Sequence, residues 1–457
     1  YWAALRGATP LGQDDGKNFL RISHAAPLGF KYWEIGNECY GTWEFDINTN
    51  APYHANDPWT YAVRAKDYFH QMKSVDPTIK IGVVVIPGED SSANGYTSHP
   101  ALNPRTGQTH YGWTPVLLST LKASGVTPDF AIHHRYPQWS NPGSPAGADN
   151  DAFLLQCSTA WANDAADLRQ QITDYFNPGG TNIELVCTEN NSDSGAQGKQ
   201  STSLVNGLYY ADSLAQLMQT EFNAFVWWDL RNGTDTTGWF DSSLYGWRTY
   251  GDLGMVNGLN TRHPSFYAAK LMQYFIQPGD SIVAASSDYT LLSAYVARKA
   301  SGALSLFVIN KDATTNYNSQ IALANFVPSP AAIVRSYGIP QDEAARTGIG
   351  SQDLATNSFA SAAANFTFSF PPYSLTLLTL VPSAPSLVVL PPRPSPGGQF
   401  VFQLLGQSGV RYFIQRSTNL ATWTTILTNT LSGSTLNITN PVPVGSGHQF
   451  WRALWQP

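Results

Sequence analysis

Apolar residues in the first part of the chain recur in two rhythms. Tyr61, Ala62, Ala65, Tyr68, Phe69 and Met72 fall on one face of a helix over 58–75. Residues 113–124, 151–176, 201–220 and 263–275 also read as helical. Between these segments lie short apolar runs of buried-strand type: YWEI at 32–35, TIKIGVVVIP at 78–87, DFAIHHRY at 129–136, IELVCTENN at 183–191 and AFVWWDL at 224–230. Strand and helix alternate, which is the pattern of a parallel α/β sheet. Five such strands fit strands four to eight of a (β/α)8 TIM barrel with enlarged loops, the longest being 88–113. Three more strand–helix units would have to precede the first strand, and the 37 residues ahead of Glu38 are too few to hold them. The reading is a barrel whose N-terminal strands are missing from this chain, with a second polypeptide as one source of them. An open fragment would carry unpaired edges prone to aggregation.

Beyond residue 278 the rhythm changes to short alternating strands separated by Asn, Ser and Gly turns. The expected organisation is a barrel domain at 1–277, a β-sandwich at 278–382, a Pro-rich linker at 383–399 and a small immunoglobulin-like β module at 400–457. The last module is read from FVFQLL, RYFIQRS, WTTIL, TLNIT and QFWRAL.

Composition narrows the function. The 457 residues carry a net charge of −6, which leaves no basic footprint for nucleic acid. Charged residues make up 13% and aromatic residues another 13%, with 14 Trp and 22 Tyr; most belong in a core, while some in loops suit the apolar faces of sugar rings. Cys39, Cys157 and Cys187 match no zinc spacing and no disulfide framework, and the sequence leaves open whether Cys157 and Cys187 pair. No run of 18 apolar residues suggests a membrane span.

The chemistry sits at two strand ends. Glu38 follows YWEI directly and Glu189 follows IELVC, and in barrel enzymes the carboxyl ends of the strands carry the reacting groups. Two carboxylates so placed suit glycoside hydrolysis, one as acid/base and one as nucleophile. The acid should have its pKa raised by burial and by the second carboxylate. Glu34 lies inside its strand and reads as a paired structural residue, and His133 points to the face opposite His134. Glu89 and Asp90 read as loop acids. Trp43, Trp139 and Trp239 lie in loops beyond strand ends and are candidate sugar platforms. Arg231 and Asn232 hold substrate hydroxyls or cap their loop.

KYWEIGNE, VIPGE, HHRYP, VCTENN and VWWDLRNG, in that order, resemble blocks of clan A retaining glycoside hydrolases, and are most similar to α-L-arabinofuranosidase-like proteins of the family 51 type. The resemblance runs from residue 1 to about 380 and implies Glu38 as acid/base and Glu189 as nucleophile. It further implies that Asn37 binds the sugar 2-hydroxyl, that His134 and Tyr136 line the site with Tyr136 orienting Glu189, and that Trp228, or else Trp227, is an aromatic of the −1 subsite. Asn190, Trp43 and Trp239 complete the candidate substrate-binding set. The loops DPWTYAV, GYTSHPALNPRTGQTHYGW and GTDTTGWFDSSLYGW depart from that family, and substrate choice lives in such loops. The expected activity is hydrolysis of plant-type polysaccharide, with α-L-arabinofuranosides first. The alternatives are an endo-acting xylanase or β-glucanase and a non-catalytic carbohydrate-binding protein. The expected partner is a carbohydrate, no cofactor or metal is called for, and a secreted or periplasmic location fits a polymer substrate.

Overall fold

A computed structural model describes residues 2–141, 148–391, 399–441 and 448–455. Strands β1 (Tyr32–Ile35), β2 (Lys80–Val84), β3 (Phe130–Arg135), β4 (Glu184–Asn190) and β5 (Phe222–Trp227) form one sheet in that order. The pairs β1–β2 and β2–β3 are parallel. Each strand is followed by a helix: α1 (Pro58–Val75), α2 (Trp113–Ala123), α3 (Trp161–Phe176), α4 (Leu204–Leu217) and α5 (Pro264–Phe275). The mixed α/β alternation read from the periodicity is therefore present. The closed (β/α)8 barrel is not. Among the described residues β1 and β5 each have one neighbour, so the sheet is an open row, whereas a barrel needs its end strands to pair. No described helix is long and apolar enough to cross a membrane.

The chain divides into two compact units, Tyr1–His134 with Asp164–Cys187, and Arg135–Asn163 with Thr188–Pro457. In the first, Asp57 caps α1 by accepting from Trp59 N (3.3 Å) and Thr60 N (3.0 Å), and Pro58 takes the first helical position, where its missing N–H costs nothing. The start of α1 is the part that packs. Tyr61, Ala62 and Ala65 are buried, while Tyr68, expected on the same face, is 56% exposed. The Tyr61 hydroxyl donates to Ile35 O (2.6 Å) and accepts from Val84 N (3.0 Å), which joins the ends of β1 and β2. The Trp113 ring lies 5.1 Å from that of Tyr61, and its indole N–H donates to Val84 O at 2.8 Å. The loop 88–113 contains a short hairpin, Ala101–Leu102 with Thr109–His110. Glu89 is tied within it, accepting from Asn103 (2.6 Å) and from Tyr175.

In the second unit α4 and α5 pack against a β layer. Its strands are β6 (Ser281–Val283), β7 (Leu292–Arg298), β8 (Leu304–Asn310), β9 (Tyr317–Ala322), β10 (Pro328–Gly338), β11 (Ala355–Phe359), β12 (Asn365–Phe370) and β13 (Ser374–Pro382). Six of them form one sheet in the order β11-β10-β13-β8-β7-β6, and β9 pairs with β12. One face of the sheet, with Tyr295, Phe307 and Leu377, meets the helices; Leu306, Val308 and Leu378 share a core with Phe366 and Phe370 of β12. Buried Asp212 of α4 pins the two layers. It accepts from Ser158, from Tyr295 Oη at 2.6 Å and from Lys311 Nζ at 3.3 Å, so the buried charges are matched.

The last strands are β14 (Ser386–Val389), β15 (Gln399–Leu405), β16 (Arg411–Ser417), β17 (Thr424–Thr430), β18 (Thr435–Pro441) and β19 (Phe450–Trp455). They form two three-stranded sheets, β14-β15-β18 and β17-β16-β19, around Phe402, Leu404, Tyr412 and Ile414. The expected linker is thus in part a strand, since β14 pairs with β15; residues 392–398 of it lie outside the described residues. None of the three cysteines is in a disulfide, and Cys157 Sγ contacts Phe153 O at 3.2 Å.

Gly82 of β2 faces Phe130 of β3 in register, and a Cβ there would stand 2.1 Å from the Phe130 ring. Gly82→Ala should cost about 1–3 kcal/mol through overpacking. Chemical denaturation should show a lower midpoint at unchanged m, and Phe130→Leu added to Gly82→Ala should recover part of the loss.

Candidate active site

Glu38 is placed by a sharp exit from β1. Gly36 has φ +77°, and a Cβ on it would lie 2.4 Å from Cys39 Sγ. Glu38 itself has φ +37°, a sparsely populated conformation for a non-glycine residue and one that is concentrated at functional sites. Its carboxylate is engaged at both oxygens. His134 Nδ1 of β3 lies 3.0 Å from Oε1, the Tyr40 hydroxyl donates to Oε1 at 3.2 Å, and the Trp43 indole N–H donates to Oε2 at 3.2 Å. Burial alone would raise the Glu38 pKa. The donors from His134, Trp43 and Tyr40 outweigh it and hold the group below its ordinary value, so the resting side chain is ionised at neutral pH. The raised value expected from the sequence is thereby corrected.

Asn37 donates to Glu44 Oε1 at 2.9 Å and is exposed. Trp43 is 70% exposed, with its ring across Gly41, where a Cβ would meet ring carbons at 2.4 Å. The backbone beneath is pinned: Asn56 Nδ2 donates to Gly41 O (2.8 Å), and Asn94 Nδ2 donates to Tyr40 O (2.9 Å) and Asn56 O (2.8 Å). His133, on the other face of β3, pairs with Asp164 at 3.2 Å.

In the second unit Glu189 stands near the end of β4, half-buried, and accepts from the Tyr136 hydroxyl at 2.8 Å. Two candidates fall away as substrate contacts. Asn190 is fully buried, donating to Arg135 O (2.7 Å) and Tyr209 Oη (3.0 Å) and accepting from Ser213 Oγ (3.2 Å). Trp227 lies in the core, edge-on to Tyr210 at 5.0 Å, because its position on β5 faces α4. Trp228 is 43% exposed and is held by its backbone, with its N–H donating to Asn190 O at 3.1 Å and its carbonyl accepting from Asn191. Trp239 is half-buried; its carbonyl accepts from Lys199 N at 3.1 Å. Trp139 is 68% exposed.

The periodicity gave no sign of the clamp that joins the loops after β3 and β4. Ser140 N and Oγ both donate to Asp193 Oδ2, at 2.9 and 2.6 Å, and Ser140 Oγ also contacts Asp149 Oδ1. A hydroxyl has one proton, so Ser140 cannot donate to both carboxylates. Burial, with Asp193 beside it, pushes the Asp149 carboxyl up to about 8, and Asp149 supplies the second proton.

Carboxylates stand at the ends of strands in an α/β sheet, each held by a phenol or imidazole, and the fold is similar to that of solved glycoside hydrolases. No protein-family model matches the chain, and no curated protein matches it. Among solved structures it is similar to an α-L-arabinofuranosidase from Thermotoga maritima in complex with arabinose, at 16% identity and TM-score 0.52 over 83% of this chain and 72% of that one. A family 44 xyloglucanase from Paenibacillus polymyxa aligns at 14% identity and TM-score 0.55, over 77% of this chain and 66% of that one. A family 44 endoglucanase from Clostridium acetobutylium aligns at 14% and 0.54 over the same shares. At these identities the likeness is one of fold.

Folded Asp149 keeps a proton that the unfolded chain gives up above about pH 4. Its favourable contribution is therefore complete below that pH and lost as pH rises through about 8. Denaturation at pH 5 and pH 8 should show Asp149→Asn losing less stability over that interval than wild type.

Proposed function

We propose that this chain is a retaining glycoside hydrolase that acts on plant-type polysaccharide, with α-L-arabinofuranosides as its first substrates. The observation that carries the reading is that Glu38 and Glu189 stand at the carboxyl ends of β1 and β4, each with dedicated hydrogen-bond donors. The fold likeness to the Thermotoga maritima arabinofuranosidase supports the substrate class. Glu38 first takes up a proton from solvent; in the first step a Glu189 carboxylate oxygen then attacks the anomeric carbon, while Glu38 delivers that proton to the departing glycosidic oxygen. Tyr136 keeps Glu189 ionised and aimed. In the second step Glu38, now ionised, takes a proton from water, and the hydroxide equivalent displaces Glu189 from the glycosyl ester. Asn37 binds sugar hydroxyls, His134 stands behind the site and holds Glu38, and Trp228, Trp43 and Trp239 are aromatic surfaces for sugar rings.

A second reading, an endo-acting β-glycanase, is favoured by the likeness to the Paenibacillus polymyxa xyloglucanase and by exposed Trp43 and Trp139. Polymer substrates place the protein outside the cell or in the periplasm. On its outer side β1 has no strand beside it among the described residues, and Tyr32 and Trp33 are 56% and 43% exposed. That supports a further strand–helix segment pairing there, on a second polypeptide or on the same one.

Sugar release from arabinan, arabinoxylan, xylan, mixed-linkage β-glucan and an aryl α-L-arabinofuranoside tests the proposal. Free arabinose from wild type, reduced at least about 10²-fold in Glu38→Gln and Glu189→Gln, is the expected outcome. The first-formed anomer, read by NMR, should keep the substrate's configuration. Oligosaccharides from a backbone polymer would replace the substrate with the second reading. Binding without release would make the chain a carbohydrate-binding protein.

A further inference from the structure

The donors around Glu38 pose a chemical problem for an acid. A carboxylate held at both oxygens can serve as a base, but each donor favours the anion and so opposes the protonation that an acid needs. Oε1 receives two of the three, His134 Nδ1 and the Tyr40 hydroxyl, and Oε2 receives the third, the Trp43 indole N–H. Protonation at Oε2 therefore weakens one hydrogen bond, and protonation at Oε1 weakens two.

The three donors also differ in freedom. The His134 side chain is 1% exposed and is carried on β3. Tyr40 is half-buried, with its ring edge-on to buried Trp113 at 6.0 Å. Trp43 is 70% exposed, and its neighbours are the Gly41 backbone and the edge of Tyr40 at 6.2 Å. Because Asn56 and Asn94 hold the loop backbone, the indole can turn about its own side-chain bonds while the loop stays in place.

We propose that Trp43 is a substrate-displaced latch on Glu38. In the free protein its indole N–H occupies Oε2 of the ionised carboxylate. When a saccharide enters, the ring leaves Oε2 for the sugar on the leaving-group side, and Oε2 takes up from solvent the proton that Glu38 passes to the departing oxygen in the first step. Trp43 is thus a positioning residue that acts through Glu38, and the inference rests on the acid/base reading of Glu38. The titratable groups facing this carboxylate within its unit are His134 from β3 and Tyr40 from its own loop; Glu44 is engaged by Asn37. The lowered Glu38 pKa agrees with a donor on each oxygen in the free state.

The test separates the free protein from the complex. The pH dependence of kcat/KM reports the free enzyme, and that of kcat reports the substrate complex. Trp43→Phe keeps an aromatic ring and removes the N–H. Titration of 13C-labelled glutamate carboxyls without substrate should show the Glu38 pKa rising by roughly half to one unit. The alkaline limb of kcat/KM should move up by the same amount, and that of kcat should not move. Gly41→Ala puts a methyl group where the ring rests, so it should give the same displacement with the indole still present. No displacement in the carboxyl titration with either variant would overturn the latch. An equal displacement in kcat would overturn it too, by showing that the bond persists with substrate bound. Undiminished hydrolysis by Glu38→Gln would instead sink the acid/base reading, and the carboxyl titration would still decide whether Trp43 holds Oε2.

Discussion

The buried hydroxyl of Tyr61 is the hinge on which the first unit's geometry turns. One oxygen donates to Ile35 O at the end of β1 and accepts from Val84 N at the end of β2, so two strand ends and the first turns of α1 are fixed at one point. Burial drives its pKa well above the ordinary phenol range, and the hydroxyl stays a donor at every physiological pH. Glu38 lies three residues beyond Ile35, past a glycine that the close approach of Cys39 requires. The position of the carboxylate is therefore set less by its own loop than by a strand end that cannot move.

Around that carboxylate the structure favours the charged state. Three donors from two elements stabilise an anion, and charge-assisted hydrogen bonds of this kind are the stronger ones. The resting carboxylate is thus arranged as a base, and the same donors oppose its protonation. At Glu189 the Tyr136 hydroxyl donates to Oε2 at 2.8 Å, a bond that orients the carboxylate.

The second unit protects its loops by another means. Gln138, Ser140, Asp193 and Gln200 are buried polar residues whose hydrogen bonds run from loop to loop, with Gln138 Nε2 donating to Gln200 Oε1 at 2.6 Å. A buried polar network is stable when its members are matched. Here matching demands a proton between Asp149 and Asp193, which makes the loops that follow β3 and β4 sensitive to alkali although neither carboxylate belongs to the proposed chemistry.

Much of this was legible in the chain. Apolar runs and helical spacing placed the five strands and five helices of the α/β sheet, because burial imposes those periods wherever an element has a core face. They also put Glu38 and Glu189 at strand ends. What the periodicity could not carry was partnership across distance. It read 383–399 as a linker, yet β14 has a strand to pair with. The resemblance left Trp227 and Trp228 as alternatives, and only packing separates them: Trp227 at the end of β5 is buried and Trp228, just past it, is exposed. The sequence predicted a raised Glu38 pKa from burial, whereas donors from residues 40, 43 and 134 reverse the sign. Local pattern decides what an element is; which donors meet a given carboxylate is decided only when segments remote in sequence pack together.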